Sequence, residues 1–257
     1  MENLTEDLKN IGIYTWKWEK NIGIINTTLN TELINLINDI LEKNQDNKEM
    51  EFNIDYLHKY YKLTITHKDN YSSKGFLQDI TSIKKLTHYD SLTKLLNRLG
   101  LKEQMTSIDF NTTNVAVIFF DLDNFKKLND IYGHDSGNKM LKSIAYSVSK
   151  ILSNNSHFAR VSGDEFVILI KNFISISELQ KIADSILEAI IHANDEAIMD
   201  DATISASMGI AVSPDHGNTY NELISKADIA MYVAKKHGKA KYLFYDEEIN
   251  SIYCPPF

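Results

Sequence analysis

The sequence predicts an α+β protein with two domains. Segments that alternate apolar and polar residues, as strands do, are interspersed with segments whose apolar residues recur at helical spacing. A tight hairpin is also indicated between the apolar stretches 157–161 and 166–170. With 257 residues, 43% of them hydrophobic, the chain can form more than one core. We therefore expect a small α+β domain at 1–85 and, at 86–257, a mostly antiparallel, ferredoxin-like sheet covered on one face by helices.

The first domain is predicted to open with a strand at 11–20, where apolar and polar residues alternate around Trp16 and Trp18. The remaining elements are a turn, a short strand, a helix and three further strands, at residues 21–23, 24–25, 33–41, 51–54, 60–66 and 75–81. A connector at 82–86, which contains no Gly or Pro, leads into the second domain.

In the second domain, Asp90 or Ser91 is expected to cap the next helix. The elements after it alternate as strand, helix, hairpin, helix, strand, helix and strand, at residues 115–120, 137–152, 157–171, 177–191, 202–212, 220–236 and 241–245. This mixture of strands and helices around one hairpin is typical of an α+β sheet domain.

The composition excludes several classes of function. A net charge of −8 argues against a general nucleic-acid or membrane-surface binder. The single cysteine, Cys254, excludes a disulfide framework within one chain and fits a reducing cytoplasm. The longest apolar runs, such as 115–120, are too short to span a bilayer, and the polar residues 1–4 are unlike a signal peptide. We expect a soluble, cytoplasmic protein.

The tip of the predicted hairpin is the most informative segment of the chain. Its residues read Ser162-Gly163-Asp164-Glu165-Phe166, and Gly163 is free to adopt the positive φ that such a turn requires. Adjacent carboxylates at a hairpin tip have no packing role, so Asp164 and Glu165 need solvent, a base or a metal ion. Taken alone, the segment is also compatible with an ordinary acidic turn.

A second acidic group, Asp121-Leu122-Asp123, directly follows the apolar run 115–120. A buried strand that ends in carboxylates is a rigid support for metal ligands, and hard oxygen ligands suit Mg²⁺ or Mn²⁺. If the hairpin strand lies beside this run, Asp121 converges with Asp164 and Glu165. Two metal ions roughly 3.5–4 Å apart would then activate a nucleophile and hold a phosphoryl group. The alternative is strand-end capping and solvation.

Lysines accompany both acidic groups. Lys126 and Lys127 follow the aspartates, and Lys235, Lys236 and Lys239 close the helix at 220–236. Lysines at the end of a helix also complement the helix dipole, so an ordinary solvated C-terminus is the alternative explanation. If they converge on one pocket, these lysines would neutralise a triphosphate.

Together, these motifs resemble the GGDEF family of diguanylate cyclases. The resemblance rests on Asp121 to Asp130 (DLDNFKKLND), Gly133-His134, Arg160 to Phe166 (RVSGDEF), Asp90-x-Leu92-Thr93 with Asn97-Arg98, and Ala227 to Lys239 (ADIAMYVAKKHGK). It covers about residues 87–247 in the family's order. It implies a nucleotide-cyclase-like fold and a signalling enzyme, a nucleotidyltransferase that condenses two GTP into the bacterial second messenger cyclic di-GMP with release of pyrophosphate.

The resemblance also implies roles for individual residues. Each 3′-hydroxyl attacks the α-phosphate of the other nucleotide, so a homodimer is required. Asp121, the Leu122 carbonyl and Asp164 would hold Mg²⁺ (or Mn²⁺), Glu165 would help at the second metal, and Asp164 would assist deprotonation of the 3′-hydroxyl. Lys126 would stabilise phosphate charge. The nucleotide-binding group comprises Asn129, His134, Asn138, Ser162, Gly163, Lys235 and Lys239. Asp123 is expected to be structural.

The first domain resembles a PAS sensor domain. The resemblance rests on the early Trp-containing strand and on the ending Gly75 to Thr81 (GFLQDIT), in which Gly-x-x-x-Asp-Ile-Thr leads into a signalling helix. It implies that this domain regulates the catalytic domain. No cofactor is assigned to it, and its signal is not specified by the sequence.

The chain departs from the family's pattern at three places. Ser162 replaces the first glycine of the signature. Asn138 replaces an aspartate whose carboxylate accepts hydrogen bonds from guanine. An amide at this position weakens guanine binding by roughly 1–3 kcal/mol and matches the edge of adenine. A cyclase with relaxed base selectivity is therefore one alternative function. The family's Arg-x-x-Asp product-inhibition site reads Ser153-Asn154-Asn155-Ser156, which predicts no feedback inhibition. A catalytically silent GTP-binding regulatory domain and an unrelated Mg²⁺-dependent phosphotransfer enzyme are also compatible with the motifs.

Overall fold

The structure is a computed structural model, and it describes residues 8–19, 22–25, 29–44, 49–57, 59–68, 72–106, 108–110, 112–196 and 203–252. The chain divides into two units, Met1–Leu86 and Thr87–Phe257. Cys254 lies outside the described residues. None of the helices in the described ranges combines the length and the apolar character that a membrane crossing needs.

The first unit contains one five-stranded antiparallel sheet. Its strands are β1 (Ile13–Glu19), β2 (Gly23–Ile25), β3 (Met50–Tyr56), β4 (Lys59–Lys68) and β5 (Ser72–Asp79), in the spatial order β2-β1-β5-β4-β3. The strands lie close to where the alternating pattern predicts them. The central strand β5 pairs with β1 on one side and with β4 on the other.

Helix α1 (Thr31–Lys43) supplies the apolar cover of this sheet. The side chain of Asn30 caps it by accepting a 2.9 Å hydrogen bond from the backbone N–H of Leu33. Leu33, Ile37 and Leu41, spaced four residues apart on one helical face, are buried. They form a core with apolar residues of the sheet, among them Trp16, Leu63, Ile65 and Leu77.

The predicted connector is part of helix α2 (Thr81–His88). Two hydrogen bonds fix its first residue, Thr81. The N–H of Thr81 donates a 2.9 Å hydrogen bond to Oδ1 of Asp79, and Thr81 Oγ1 accepts one of 3.0 Å from the N–H of Tyr60. The end of the last strand is therefore tied directly to the start of this helix.

The second unit is also built on a five-stranded sheet. Its strands are β6 (Val115–Asp123), β7 (Ser156–Ser162), β8 (Glu165–Lys171), β9 (Ser205–Val212) and β10 (Lys241–Phe244), in the order β10-β9-β6-β8-β7. Its helices are α3 (Arg98–Thr106), α4 (Phe125–Tyr132), α5 (His134–Ile151), α6 (Ile176–Glu196), α7 (Tyr220–Lys236) and α8 (Glu247–Ile252). The pair β9–β10 is parallel and the other pairs are antiparallel, as predicted for a mostly antiparallel sheet.

Helices cover both faces of this sheet, so the prediction of one covered face is wrong. All nine residues of β6 are buried. Ile118 and Phe120 belong to the core on the side of α5 and α6, whereas Val117 and Phe119 belong to the core on the side of α3 and α7. Successive side chains of a strand point to opposite faces, so a continuously apolar strand is buried on both.

The start of the second unit also differs from the prediction. Asp90 does not cap a helix; its Oδ1 accepts hydrogen bonds from the backbone N–H and the hydroxyl of Thr93, at 2.8 and 2.7 Å, in a turn. The helix that follows is α3, and Asn97 caps it by accepting from the N–H of Gly100 at 3.0 Å. Two helices, α4 and α8, were absent from the predicted elements.

Candidate active site

Strand β6 and the β7–β8 hairpin bring the two acidic groups together. Asp121 is directly opposite Glu165 in the β6–β8 register, and the N–H of Leu122 donates a 3.2 Å hydrogen bond to the carbonyl of Asp164. The hairpin strand therefore lies beside β6, which is the arrangement on which the predicted convergence depends. Asp164 and Glu165 are half-buried. Three carboxylates consequently share the end of two neighbouring strands.

The Asp121 carboxylate is held in an unusual electrostatic setting. Its side chain is only 11% exposed, and its Oδ1 accepts a 2.6 Å hydrogen bond from Nζ of Lys235 on α7. The pKa of Asp121 is raised to about 6, mainly by burial and also by the charges of Asp164 and Glu165, against the opposing effect of Lys235. A positive charge next to Asp121 would therefore stabilise its ionised carboxylate.

Asp228 on α7 belongs to the same acidic neighbourhood, and the sequence reasoning did not assign it a role. Burial and the negative charge of Asp228, followed by that of Asp164, raise the pKa of Glu165. Burial likewise raises the pKa of Asp228. The available signal was the segment Ala227-Asp228 in the family motif, where an acidic residue directly follows a buried alanine.

A cleft of about 380 Å³ opens next to these carboxylates. Four lysines line it, two from α4 and two from the end of α7 and the turn that follows, and the full lining is Leu122, Asn124, Phe125, Lys126, Lys127, Asp130, Asp164, Lys235 and Lys239. Nζ of Lys239 donates a 3.0 Å hydrogen bond to Oδ1 of Asn124. The predicted convergence of the lysines on one pocket is thus present for Lys126, Lys127, Lys235 and Lys239. Lys236 is not part of the lining, and its Nζ lies 5.3 Å from the centroid of the Tyr232 ring.

The sequence reasoning missed three residues of this lining. Asn124, Phe125 and Asp130 lie in the family motif but were not predicted to belong to the site. Asn124 precedes α4 with a left-handed φ of 63°, a conformation that asparagine tolerates better than most residues. An asparagine immediately before a predicted helix was the signal for this sharp change of direction.

Asp123 has a structural role, as expected. It is fully buried and accepts hydrogen bonds from the hydroxyls of Ser205 and Ser207 at 2.7 and 2.8 Å, and from the N–H of Ala240 at 3.1 Å. These contacts join the end of β6 to β9 and to the turn after α7. The carboxylate thereby fixes the backbone that carries the cleft, and its oxygens are already engaged.

Asn129, His134 and Asn138 lie apart from the cleft, at the junction of α4 and α5. His134 and Asn138 are exposed on the first two turns of α5, four residues apart and so on one helical face. Oδ1 of Asn129 is buried without a hydrogen-bond partner, and a Cβ on Gly137 would lie 2.0 Å from it. The glycine therefore makes room for an amide whose oxygen is unsatisfied.

The hairpin tip itself is open. Ser162 and Gly163 are exposed, and neither lines the cleft. Gly163 has a φ of +26°, as expected, whereas Ser162 has no positive φ, so the serine introduces no backbone strain. Nε of Arg160 donates a 2.8 Å hydrogen bond to the carbonyl of Gly163 and thus supports the turn from the preceding strand.

Comparison with known families agrees with this geometry. The family model described as the diguanylate cyclase GGDEF domain matches residues 87–241, more than half of the chain. The chain belongs to the GGDEF family. The matched range contains both acidic groups, the hairpin and all four cleft lysines.

Curated relatives of the chain carry different activities in their names. The cyclic di-GMP phosphodiesterase PdeR of Escherichia coli (strain K12) is 35% identical over 170 residues, which are 65% of this chain and 25% of PdeR. The diguanylate cyclase TpbB of Pseudomonas aeruginosa is 34% identical over 164 residues, which are 62% of this chain and 37% of TpbB. The chain thus spans well under two thirds of the length of these relatives.

Solved GGDEF structures match the same region. The structure of the GGDEF domain of TpbB from P. aeruginosa superposes with a TM-score of 0.57 at 32% identity, over 64% of this chain and 98% of that one. The diguanylate cyclase SiaD of P. aeruginosa, solved with its activator SiaC, gives a TM-score of 0.56 at 26% identity, over 63% and 64% of the two chains. The second unit therefore has the α+β, nucleotide-cyclase-like GGDEF fold.

The residues at the end of β6 fit a hard divalent cation. Asp121, Asp164 and Glu165 offer carboxylate oxygens, which are the ligands that Mg²⁺ prefers, and burial of the Asp121 carboxylate favours a compensating positive charge. Within the described ranges, no three acidic, histidine or cysteine side chains are close enough to count as a complete metal-binding group. Mg²⁺ ordinarily uses only one or two carboxylates, together with water and substrate phosphates.

Proposed function

We propose that the second unit is a diguanylate cyclase, which condenses two GTP to cyclic di-GMP with release of pyrophosphate. The proposal rests on two features that occur together at the end of β6. Asp121 faces the Asp164–Glu165 turn across the β6–β8 pair, and the adjacent cleft is lined by four lysines. Carboxylates for a cation beside ammonium groups for a polyphosphate suit a metal-dependent nucleotidyl transfer.

Each group in the cleft has a proposed task. Asp121, the Leu122 carbonyl and Asp164 would hold Mg²⁺ or Mn²⁺, with Glu165 helping a second ion; when bound, these ions supply Lewis-acid stabilisation of phosphate charge. Asp164 also assists removal of the 3′-hydroxyl proton. Lys126, Lys235 and Lys239 neutralise the triphosphate through charge-assisted hydrogen bonds.

We place the guanine base at the α4–α5 junction. The unsatisfied Oδ1 of Asn129 is an acceptor that a base N–H would satisfy, and the exposed His134 and Asn138 flank the start of α5. Ser162 and Gly163, exposed at the hairpin tip, are the remaining residues that we assign to nucleotide binding. Because α4 contributes Lys126 to the cleft and Asn129 to the junction, one helix serves both ends of the nucleotide.

The reaction needs two nucleotides, and one chain offers one such cleft among its described residues. We therefore propose a homodimer in which two GGDEF units face each other. A rate of product formation that rises with the square of protein concentration at low concentration would support this, whereas a first-order dependence down to the monomeric range would contradict it.

We propose that the first unit is a PAS-like sensor that regulates the cyclase in the cytoplasm. Support comes from its antiparallel sheet with α1 packed against it, and from the tie between Asp79, Thr81 and Tyr60 at the start of α2. A signal that shifts β5 would be transmitted to this helix. Deleting residues 1–86 and measuring the cyclase rate of the remainder tests whether the first unit restrains or activates it.

The cyclase assay itself uses GTP and Mg²⁺ with the full chain. Asp164→Ala should abolish cyclic di-GMP formation while leaving the thermal midpoint almost unchanged, because the residue is at a half-buried turn and contributes little stability. Asp130→Asn, which also removes a carboxylate from the cleft lining, is the matched control and should retain most of the activity. Equal activity of both variants would contradict the role of Asp164.

Two observations favour second candidates. The match to PdeR, named a phosphodiesterase, means that this region also occurs in a protein with another activity, so a silent GTP-binding regulator is the first alternative. GTP binding without product would identify it. Asn138 is the second observation, because an amide matches the donor–acceptor edge of adenine and is less favourable for guanine than the family's aspartate. Competition between GTP and ATP tests this relaxed selectivity; strong GTP preference that Asn138→Asp leaves unchanged would exclude it.

A further inference from the structure

The ion pair between Lys235 and Asp121 occupies the atoms that the proposed metal site requires. Nζ of Lys235 is 2.6 Å from Oδ1 of Asp121, a short charge-assisted hydrogen bond. The same ammonium lines the cleft proposed for the triphosphate. One side chain is thus shared between two binding tasks: it is a counter-ion for the carboxylate and a ligand for phosphate.

From this sharing we propose that the site takes up its cation together with the nucleotide, as the metal–triphosphate complex, and binds the free cation poorly. The inference rests on the proposed cyclase function. While Lys235 pairs with Asp121, a divalent cation must compete with an ammonium group already in contact with the carboxylate. A bound triphosphate offers Lys235 a second anionic partner, so the carboxylate is released at the moment when the cation arrives.

The exposure of the two partners makes this exchange feasible. The Asp121 side chain is 11% exposed and fixed on a fully buried strand, whereas the Lys235 side chain is 38% exposed near the end of α7. The lysine is therefore the partner that can move, because its long side chain reaches into solvent. A partly exposed ion pair is also weak enough for phosphate to displace it.

Lys239 provides a matched comparison within the same cleft. It carries the same charge, also lines the cleft, and donates to the neutral Oδ1 of Asn124 instead of to a carboxylate. Removing either lysine makes the cleft more negative by one unit. Only the removal of Lys235 frees the Asp121 carboxylate from its direct partner.

The test measures Mn²⁺ binding to the full chain, without nucleotide, from the electron paramagnetic resonance signal of free Mn²⁺. Lys235→Ala should bind Mn²⁺ about three- to fivefold more tightly than the unmodified protein. Lys239→Ala should change the affinity less than about twofold at 0.15 M salt, because charges out of contact are screened. Lys235→Gln, which keeps most of the side chain, should behave like Lys235→Ala and guards against a folding defect. A non-reactive α,β-methylene analogue of GTP should tighten Mn²⁺ binding in the unmodified protein and much less in Lys235→Ala.

Equal Mn²⁺ affinity in the unmodified protein and both Lys235 variants would overturn the proposal, as would equal effects of the Lys235 and Lys239 changes. These outcomes are separable from failure of the cyclase function. If the protein makes cyclic di-GMP but the Lys235 variants bind Mn²⁺ no more tightly, the cyclase proposal stands and the exchange proposal fails. If the Lys235 variants bind Mn²⁺ more tightly but the protein makes no product, the exchange proposal stands and the cyclase proposal fails.

Discussion

Nη1 of Arg160 donates a 3.1 Å hydrogen bond to Oδ1 of Asp90, and Nε of the same guanidinium donates to the carbonyl of Gly163. One side chain therefore joins the turn that follows α2 to the tip of the β7–β8 hairpin. Burial alone would raise the pKa of Asp90, but hydrogen bonds from Thr93 and the Arg160 guanidinium hold it below its usual value. The carboxylate is thus ionised and the bridge is intact at neutral pH.

Arg160→Ala should lower both stability and activity. It leaves a largely buried Asp90 carboxylate without its cationic partner and the Gly163 carbonyl without its donor, which we expect to cost about 1–3 kcal/mol in unfolding free energy. Cyclic di-GMP formation should fall at least about tenfold, since a shift of catalytic groups by an ångström has effects of that size or more. Urea unfolding and the cyclase assay measure the two effects. The exposed Lys102→Ala is the control, and equal behaviour of the two variants would mean that the bridge has no role.

Asp123 should be essential for stability. Truncation to alanine leaves the hydroxyls of Ser205 and Ser207 and the N–H of Ala240 without their buried acceptor. We expect Asp123→Ala to lower the unfolding free energy by about 2–4 kcal/mol. Denaturant unfolding measures this, with the exposed Asp130→Asn expected to change it by less than about 0.5 kcal/mol. A loss below about 1 kcal/mol for Asp123→Ala would argue against its structural role.

Asp121 should make the stability of the metal-free protein depend on pH between about 4 and 6. Its pKa is about 6 in the folded protein against 3.8 as the ordinary value, so in this window the folded state retains a proton that the unfolded state has lost. The retained proton therefore stabilises the folded state fully below about pH 4. This stabilisation is lost as the pH rises to about 6, which lowers the unfolding free energy by roughly 2–3 kcal/mol.

Urea unfolding at pH 4.5 and 6.5, without divalent cations, measures this dependence. The Asp121→Asn variant, which cannot titrate there, should show a smaller decrease over the same interval. Mn²⁺ added together with the non-reactive GTP analogue at pH 6.5 should stabilise the unmodified protein more than the variant. Parallel pH profiles for the two proteins would contradict the assigned shift.

The proposed cyclase should not be inhibited by its product through the turn before β7. Residues 153–156 carry no charged side chain, and the amide of Asn155 donates a 2.6 Å hydrogen bond to the carbonyl of Lys171, within the β7–β8 hairpin. These four residues therefore offer no cation to an anionic dinucleotide. Progress curves with added cyclic di-GMP should therefore lack noncompetitive inhibition, and strong noncompetitive inhibition would disprove this.

Much of the fold could be predicted because short sequence patterns indicate its strands and turns. The alternation around Trp16 gave the first strand, and Gly163 between two apolar runs gave the hairpin. The coverage of both sheet faces was predictable in principle: the segment from Val115 to Leu122 is almost continuously apolar, which is typical of a strand buried on both sides.

Other features depended on partners far away in the sequence. Asp90 has the residue type of a helix cap, but its carboxylate accepts from Thr93 within a turn and from Arg160, 70 positions later. The contact between Lys235 and Asp121 spans 114 positions and depends on how α7 packs on β9. That packing is close at Gly209, where a Cβ would lie 1.9 Å from the carbonyl of Ala227. Such contacts are set by tertiary packing, which no local pattern encodes.

The most direct test of the proposed cyclase is mass spectrometry of the purified full chain incubated with GTP and Mg²⁺. The proposal predicts cyclic di-GMP together with pyrophosphate, lost on Asp164→Ala and on chelation of the metal. Bound but unreacted GTP in a folded protein, across a range of protein concentrations that populates the dimer, would contradict it.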